Sequence, residues 1–137
     1  MEHEIFVDTS GLYALLVRQD DRHEVACALF DKAAKAGTRF VTTDYVLDET
    51  ATLLKARRHV KLLAMLFSVL RDSRACRLEW MDLERFGEVE QYFLKHADQE
   101  WSFTDCASFV VMRRLRLRAA LTKDAHFRAA GFQPLLA

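Results

Sequence analysis

Apolar residues gather along the chain in four short runs: 5–7 (IFV), 39–43 (RFVTT), 76–81 (CRLEWM) and 119–122 (AALT). Each run is continuous rather than alternating, the pattern of a strand buried on both faces in a parallel sheet. Between them the apolar positions recur at helical spacing. GLYALLV follows the first run, and RHEVACALFDKAAKA ends at Gly37, a helix stop. YVLDETATLLKAR and VKLLAMLFSVLRD separate the second run from the third. LERFGEVEQYFLKHA and SFTDCASFVVMRR precede the fourth, and AHFRAAG follows it. Strand and helix alternate throughout, which predicts an α/β fold with right-handed crossovers. No repeat, linker or low-complexity tract divides the chain, so residues 1–137 are expected to form one domain.

The segment 102–114 (SFTDCASFVVMRR) is apolar on nearly every side, yet it opens with an acid. Ser102 and Asp105 stand at capping-box spacing, which accounts for Asp105 locally. The fold supplies a second account. In a parallel α/β sheet the carboxyl ends of the strands and the N-termini of the returning helices share one edge, where ligands bind. Asp8 directly follows the first strand, and Asp124 comes just after the fourth. Glu49 lies one turn into the helix after the second strand. At about 100° per residue it falls near Val46 and Leu53 on the apolar side, where an unpaired acid is costly. Caps explain Asp8 and Asp124 singly, since Thr9 or Ser10 would cap equally well and Asp124 precedes AHFRAAG. They do not explain why all of these acids gather at one edge.

Clustered carboxylates repel each other unless a cation neutralises them. Oxygen ligands with no His or Cys in the cluster point to Mg²⁺, with Mn²⁺ as a substitute, rather than zinc. A water activated by such a cation would hydrolyse a phosphodiester. A phosphoacceptor or phosphatase domain also uses a strand-end Asp, but DTSGL has no second acid two positions on.

The blocks IFVDTSGLYAL, TTDYVLDETATLL, SFTDCASFVVMRR and ALTKDAHFRAAGF resemble, in order and spacing, the acidic blocks of PIN-domain ribonucleases. The likeness is greatest to the VapC toxins of toxin–antitoxin pairs. It spans almost the whole chain, including DDRHEVACALFDKAAKAG. The resemblance implies a three-layer α/β/α domain on a mainly parallel sheet of roughly four or five strands. It also implies a magnesium-dependent endoribonuclease whose quartet matches Asp8, Glu49, Asp105 and Asp124, with Asp8 and Asp105 as the most regular ligands. Thr9 matches a hydroxyl position that aids metal or phosphate placement, and Thr104 is expected to orient Asp105 or touch substrate. The implied partners are RNA and a cognate antitoxin. A PIN-like protein-binding module without catalysis, or an RNA-processing nuclease without an antitoxin, remains open.

Composition narrows the partners. Twenty Lys+Arg balance twenty Asp+Glu, so the chain lacks the excess positive charge of a general nucleic-acid binder. Any RNA contact must be local, with Lys123 and Arg113, Arg114, Arg116 and Arg118 as the candidates. The arginines also suit a solvated helix end. His126 and His23 read as helix-start residues that pack or hydrogen-bond. The aromatic residues read as core, except Trp101, which precedes the Ser102–Asp105 corner and is a candidate base-stacking platform. The two helices between the second and third strands carry apolar surplus suited to a homodimer or an antitoxin helix. Cys27, Cys76 and Cys106 show no metal or disulfide spacing. With no signal-peptide pattern and no apolar run long enough to span a bilayer, a cytoplasmic protein is expected.

Overall fold

The computed structural model describes residues 3–137. Strands β1 (Glu4–Val7), β2 (Arg39–Thr43), β3 (Cys76–Glu79), β4 (Ala119–Leu121) and β5 (Gln133–Pro134) form one sheet in the order β3-β2-β1-β4-β5. Every neighbouring pair is parallel, with Ile5 opposite Phe40, Phe6 opposite Ala120 and Thr42 opposite Leu78. Successive residues of a strand face opposite sides. Phe6 and Val7 are both buried, as are Phe40 through Thr43, so both faces of the central strands are covered. This is the three-layer α/β/α arrangement.

The helices are α1 (Thr9–Leu16), α2 (His23–Lys35), α3 (Asp44–Ala56), α4 (Leu63–Asp72), α5 (Leu83–Lys95), α6 (Phe103–Leu115) and α7 (His126–Ala129). No helix among the described residues is long and apolar enough to cross a membrane. The run VKLLAMLFSVLRD, read as one helix, divides into a 3-10 turn at Val60–Leu62 and then α4. The fifth strand has no apolar run of its own, because it is a two-residue edge strand ending in Pro134.

Helix α6 is the most deeply placed. Cys106 through Met112 are all buried, and Phe109 lies edge-on to both Trp101 and Phe127. A helix apolar all round belongs inside the molecule, and this one anchors Asp105 at its first turn. Helix α1 approaches the sheet closely. A Cβ on Gly11 would lie 1.9 Å from the Leu121 carbonyl oxygen, so only glycine allows α1 to start directly over β4.

Candidate active site

The C-terminal edge of the sheet collects the acidic residues. The chain leaves β1 at Asp8, whose amide donates to Leu121 O at 3.2 Å and ties the strand end to β4. Asp8 stands at the N-cap of α1, but its side chain does not cap the helix. It accepts instead from the Thr122 hydroxyl at 3.0 Å. Thr122 in turn accepts from the Asp124 amide at 3.0 Å and lies 3.1 Å from Ser10 Oγ.

Helix α3 starts where Thr43 leaves β2, with the Thr43 hydroxyl accepting from the Val46 amide. Glu49 projects from its second turn and accepts from Thr9 Oγ1 at 2.6 Å. Helix α6 starts with the predicted capping box. Ser102 Oγ accepts from the Asp105 amide at 3.0 Å, and Asp105 Oδ2 accepts from the Ser102 amide at 3.1 Å. The same Oδ2 lies 3.4 Å from His126 Nδ1. Asp124 Oδ1 accepts from the His126 amide at 2.8 Å, so Asp124 also makes the local turn that starts α7.

Asp8, Thr9, Ser10, Glu49, Leu53, Asp105, Lys123 and Asp124 line one cleft of about 340 Å³. The four acids and Thr9 are therefore brought together as the sequence suggested. Burial pushes the Asp8 carboxyl up to about 7, against hydrogen bonds from the Thr9 amide and the Thr122 hydroxyl, and the negative Asp105 and Glu49 push the same way. A buried carboxylate facing two further carboxylates is a set of oxygen donors that lacks a counter-charge, and it suits a divalent cation. Asp105, Asp124 and His126 offer ligand atoms within 4.8 Å of one another.

Several expectations need correction. Glu49 is exposed, not buried on an apolar face, because that side of α3 opens into the cleft rather than onto the core. The cluster is not free of histidine, since the α7 turn carries His126 to Asp105. Trp101 is 8% exposed and stacks beside Tyr92 and His96, so it is no surface platform; the exposed tryptophan is Trp80, just past β3, at 67%. Arg113 and Arg114 lie about 12 Å or more along α6 from Asp105 at ~1.5 Å per residue. There they line a groove with Glu88 and Tyr92, and Arg114 pairs with Glu88. Lys123 reaches the cleft, but its ammonium binds Asp20 and Asp21 at 2.8 Å each. Thr104 gives its carbonyl to Ser108, while Ser102 and not Thr104 orients Asp105. The apolar surplus expected on α3 and α4 is found on α4, where Met65 and Phe67 are exposed, and on α5, where Leu83 and Leu94 are, while no large apolar residue of α3 is exposed.

His23 holds the Ala14 carbonyl at the start of α2, as its position suggested. The sequence reading missed Ser10 and Thr122 as site residues. The one available signal was their place beside Asp8 and Asp124 in the DTS and TKD blocks.

An all-parallel three-layer α/β domain with carboxylates converging beyond β1 and β4 defines a narrow class. The chain belongs to the PIN-domain family, which matches residues 5–133. It is similar to the 23S rRNA-specific endonuclease VapC20 of Mycobacterium tuberculosis, with 36% identity over 93% of this chain and 95% of that protein. The crystal structure of VapC20, described as a sarcin–ricin loop cleaving toxin, superposes with a TM-score of 0.81 at 33% identity, covering 93% of this chain and 95% of that one. A Pyrobaculum aerophilum protein shares the fold at 20% identity, with a TM-score of 0.62 over 98% of this chain and 91% of that one.

Proposed function

We propose that this protein is a divalent-metal-dependent endoribonuclease that cuts a folded RNA and acts as the toxin of a toxin–antitoxin pair. The observation that carries the reading is the buried Asp8 carboxylate facing Asp105 and Glu49 across one cleft. Likeness to an rRNA-specific endonuclease over almost the whole chain supports RNA as the substrate class.

Asp8 and Asp105 would hold Mg²⁺, or Mn²⁺ in its place, with Glu49 and Asp124 completing the acidic rim. The bound cation supplies charge neutralisation at the phosphodiester and lowers the pKa of an attacking water. The chain's own residues do the positioning. Thr9 holds Glu49, the capping box and His126 hold Asp105, and the turn before α7 holds Asp124. Lys123, paired with Asp20 and Asp21, ties the loop between α1 and α2 to the edge of the cleft, and RNA would meet its ammonium only in competition with those two carboxylates. Thr104, beside Asp105, is the remaining hydroxyl offered to RNA.

The balanced net charge favours a defined RNA fold over general nucleic-acid binding. The exposed apolar side chains on α4 and α5 suit a cognate antitoxin and a second copy of the chain. All of this fits a cytoplasmic protein. The test is cleavage of an rRNA stem-loop with Mg²⁺, with Mn²⁺ and with chelator, by wild type and Asp8→Asn. Metal-dependent cleavage lost in the variant is expected; cleavage in chelator, or by the variant at the wild-type rate, overturns the reading.

A further inference from the structure

A polar chain behind Asp8 runs through side chains that the acidic quartet does not include. The Lys123 amide donates to Ser10 Oγ at 2.8 Å, Ser10 Oγ lies 3.1 Å from Thr122 Oγ1, and Thr122 Oγ1 donates to Asp8 Oδ2 at 3.0 Å. The Asp124 amide donates to the same Thr122 oxygen at 3.0 Å. A threonine hydroxyl has one proton and two lone pairs. With Asp8 as the carboxylate that a cation requires, the Thr122 proton goes to Asp8 Oδ2, and the Ser10–Thr122 contact is then donated by Ser10. The Thr122 oxygen then gives one bond and accepts two, and it cannot turn without breaking one of them. Thr122 is fully buried, so water does not stand in for a lost partner.

We infer that Ser10 and Thr122 form a one-way hydroxyl relay that positions Asp8 for the cation. Two backbone amides feed the relay, and their polarity adds along it toward Asp8 Oδ2. The relay joins the end of β1, the start of α1 and the turn after β4, so one hydroxyl sets Asp8 and Asp124 relative to each other. Clamping one oxygen of Asp8 leaves the other for the metal. Ser10 acts only through Thr122, and both are positioning residues. The inference rests on the metal-dependent reading of the cleft.

The test measures Mn²⁺ binding to intact protein by electron paramagnetic resonance of the free ion, with no RNA present. The variants are Thr122→Val, Thr122→Ser, Ser10→Ala and the Ser10→Ala/Thr122→Val pair, each with its metal-free melting temperature recorded. Thr122→Val is expected to weaken Mn²⁺ about tenfold or more, and Thr122→Ser to restore it to within about twofold of wild type. Ser10→Ala, at a partly exposed position, is expected to weaken Mn²⁺ by a smaller factor. The pair is expected to bind no more weakly than Thr122→Val alone, because the two side chains act in series. Cleavage by Thr122→Val is expected to recover at high Mn²⁺, which a general loss of structure would not allow. Wild-type affinity in Thr122→Val or in Ser10→Ala, or losses that simply add in the pair, overturns the relay and leaves the nuclease reading standing. Should Thr122→Val fail to fold, Ser10→Ala and Thr122→Ser decide the matter alone. Wild-type protein that binds no Mn²⁺ overturns the metal reading, and the relay with it.

Discussion

The Thr9 hydroxyl donates to Glu49 Oε1 across 2.6 Å, joining the first residue of α1 to a side chain 40 positions later on α3. Glu49 is exposed, and without that bond its long side chain would sample its rotamers freely. Holding a glutamate in one rotamer costs about 1.5–2 kcal/mol of side-chain entropy, which the hydroxyl offsets before any ligand arrives. Thr9→Val keeps the shape and removes the bond. It is expected to lower kcat for RNA cleavage about tenfold, equivalent to ~1.4 kcal/mol, with a small change in melting temperature. Thr9→Ser should retain most of the activity. Equal turnover by Thr9→Val would show that Glu49 needs no such support.

The sequence made the edge of the sheet legible but not the depth of each residue within it. Strand ends at Val7 and Thr43 followed from apolar runs, and the fourth run overshot the end of β4 at Leu121 by one residue; those ends place Asp8, the start of α3 and Asp124 on one side. The capping box at Ser102 and Asp105 is a local contact, so its spacing alone foretold its geometry. Glu49 went astray because helical phase gives a direction without saying whether core or cleft lies there. Ser10 and Thr122 were invisible as partners because their contact spans 112 positions and leaves no periodic trace. The arginines at the end of α6 show the opposite limit. Their charge is plain in the sequence, but the helix carries them away from the acids.

Tryptophan 101 separates a packing role from a substrate role. Its ring stacks on Tyr92 and meets Phe109 edge-on at 5.1 Å, inside the layer between α5 and α6. Trp101→Ala is expected to destabilise the fold by about 3–5 kcal/mol, the usual loss for a buried aromatic. Denaturant unfolding measures this. The fraction that remains folded should bind RNA with wild-type affinity, and a loss of affinity without a loss of stability would restore the stacking role.

Gly11 tests how tightly the site depends on the approach of α1 to β4. Gly11→Ala puts a methyl group 1.9 Å from the Leu121 carbonyl oxygen, which is backbone and cannot swing aside. Helix α1 must move outward, taking Thr9 and Ser10 away from Glu49 and Thr122. The expected result is a loss of at least about 2 kcal/mol of stability, within the range for overpacking a close contact. Cation affinity should fall as well, since both hydroxyl bonds stretch. Wild-type stability together with wild-type Mn²⁺ binding would mean that α1 shifts without disturbing the cleft.

Asp8 is expected to make the metal-free protein less stable as pH rises. Its carboxyl titrates near 7 in the folded chain, against an ordinary value of 3.8, chiefly because burial disfavours the charge. Between those values the folded chain keeps a proton that the unfolded chain has lost, so stability declines across the window from pH 3.8 to about 7. The full decline is at most about 4 kcal/mol, from ~1.4 kcal/mol per pH unit. Asp8→Asn removes the charge while keeping an acceptor for the Thr122 hydroxyl. Metal-free Asp8→Asn should therefore melt several degrees above wild type at pH 8, with a much smaller gap at pH 4.5. Adding Mn²⁺ at pH 8 should raise the wild-type melting temperature and leave the variant unchanged, because the cation replaces the proton as counter-charge to Asp8. Thermal denaturation at the two pH values, with and without Mn²⁺, measures all of these differences. A variant no more stable than wild type at pH 8 would show that the buried charge costs the fold nothing.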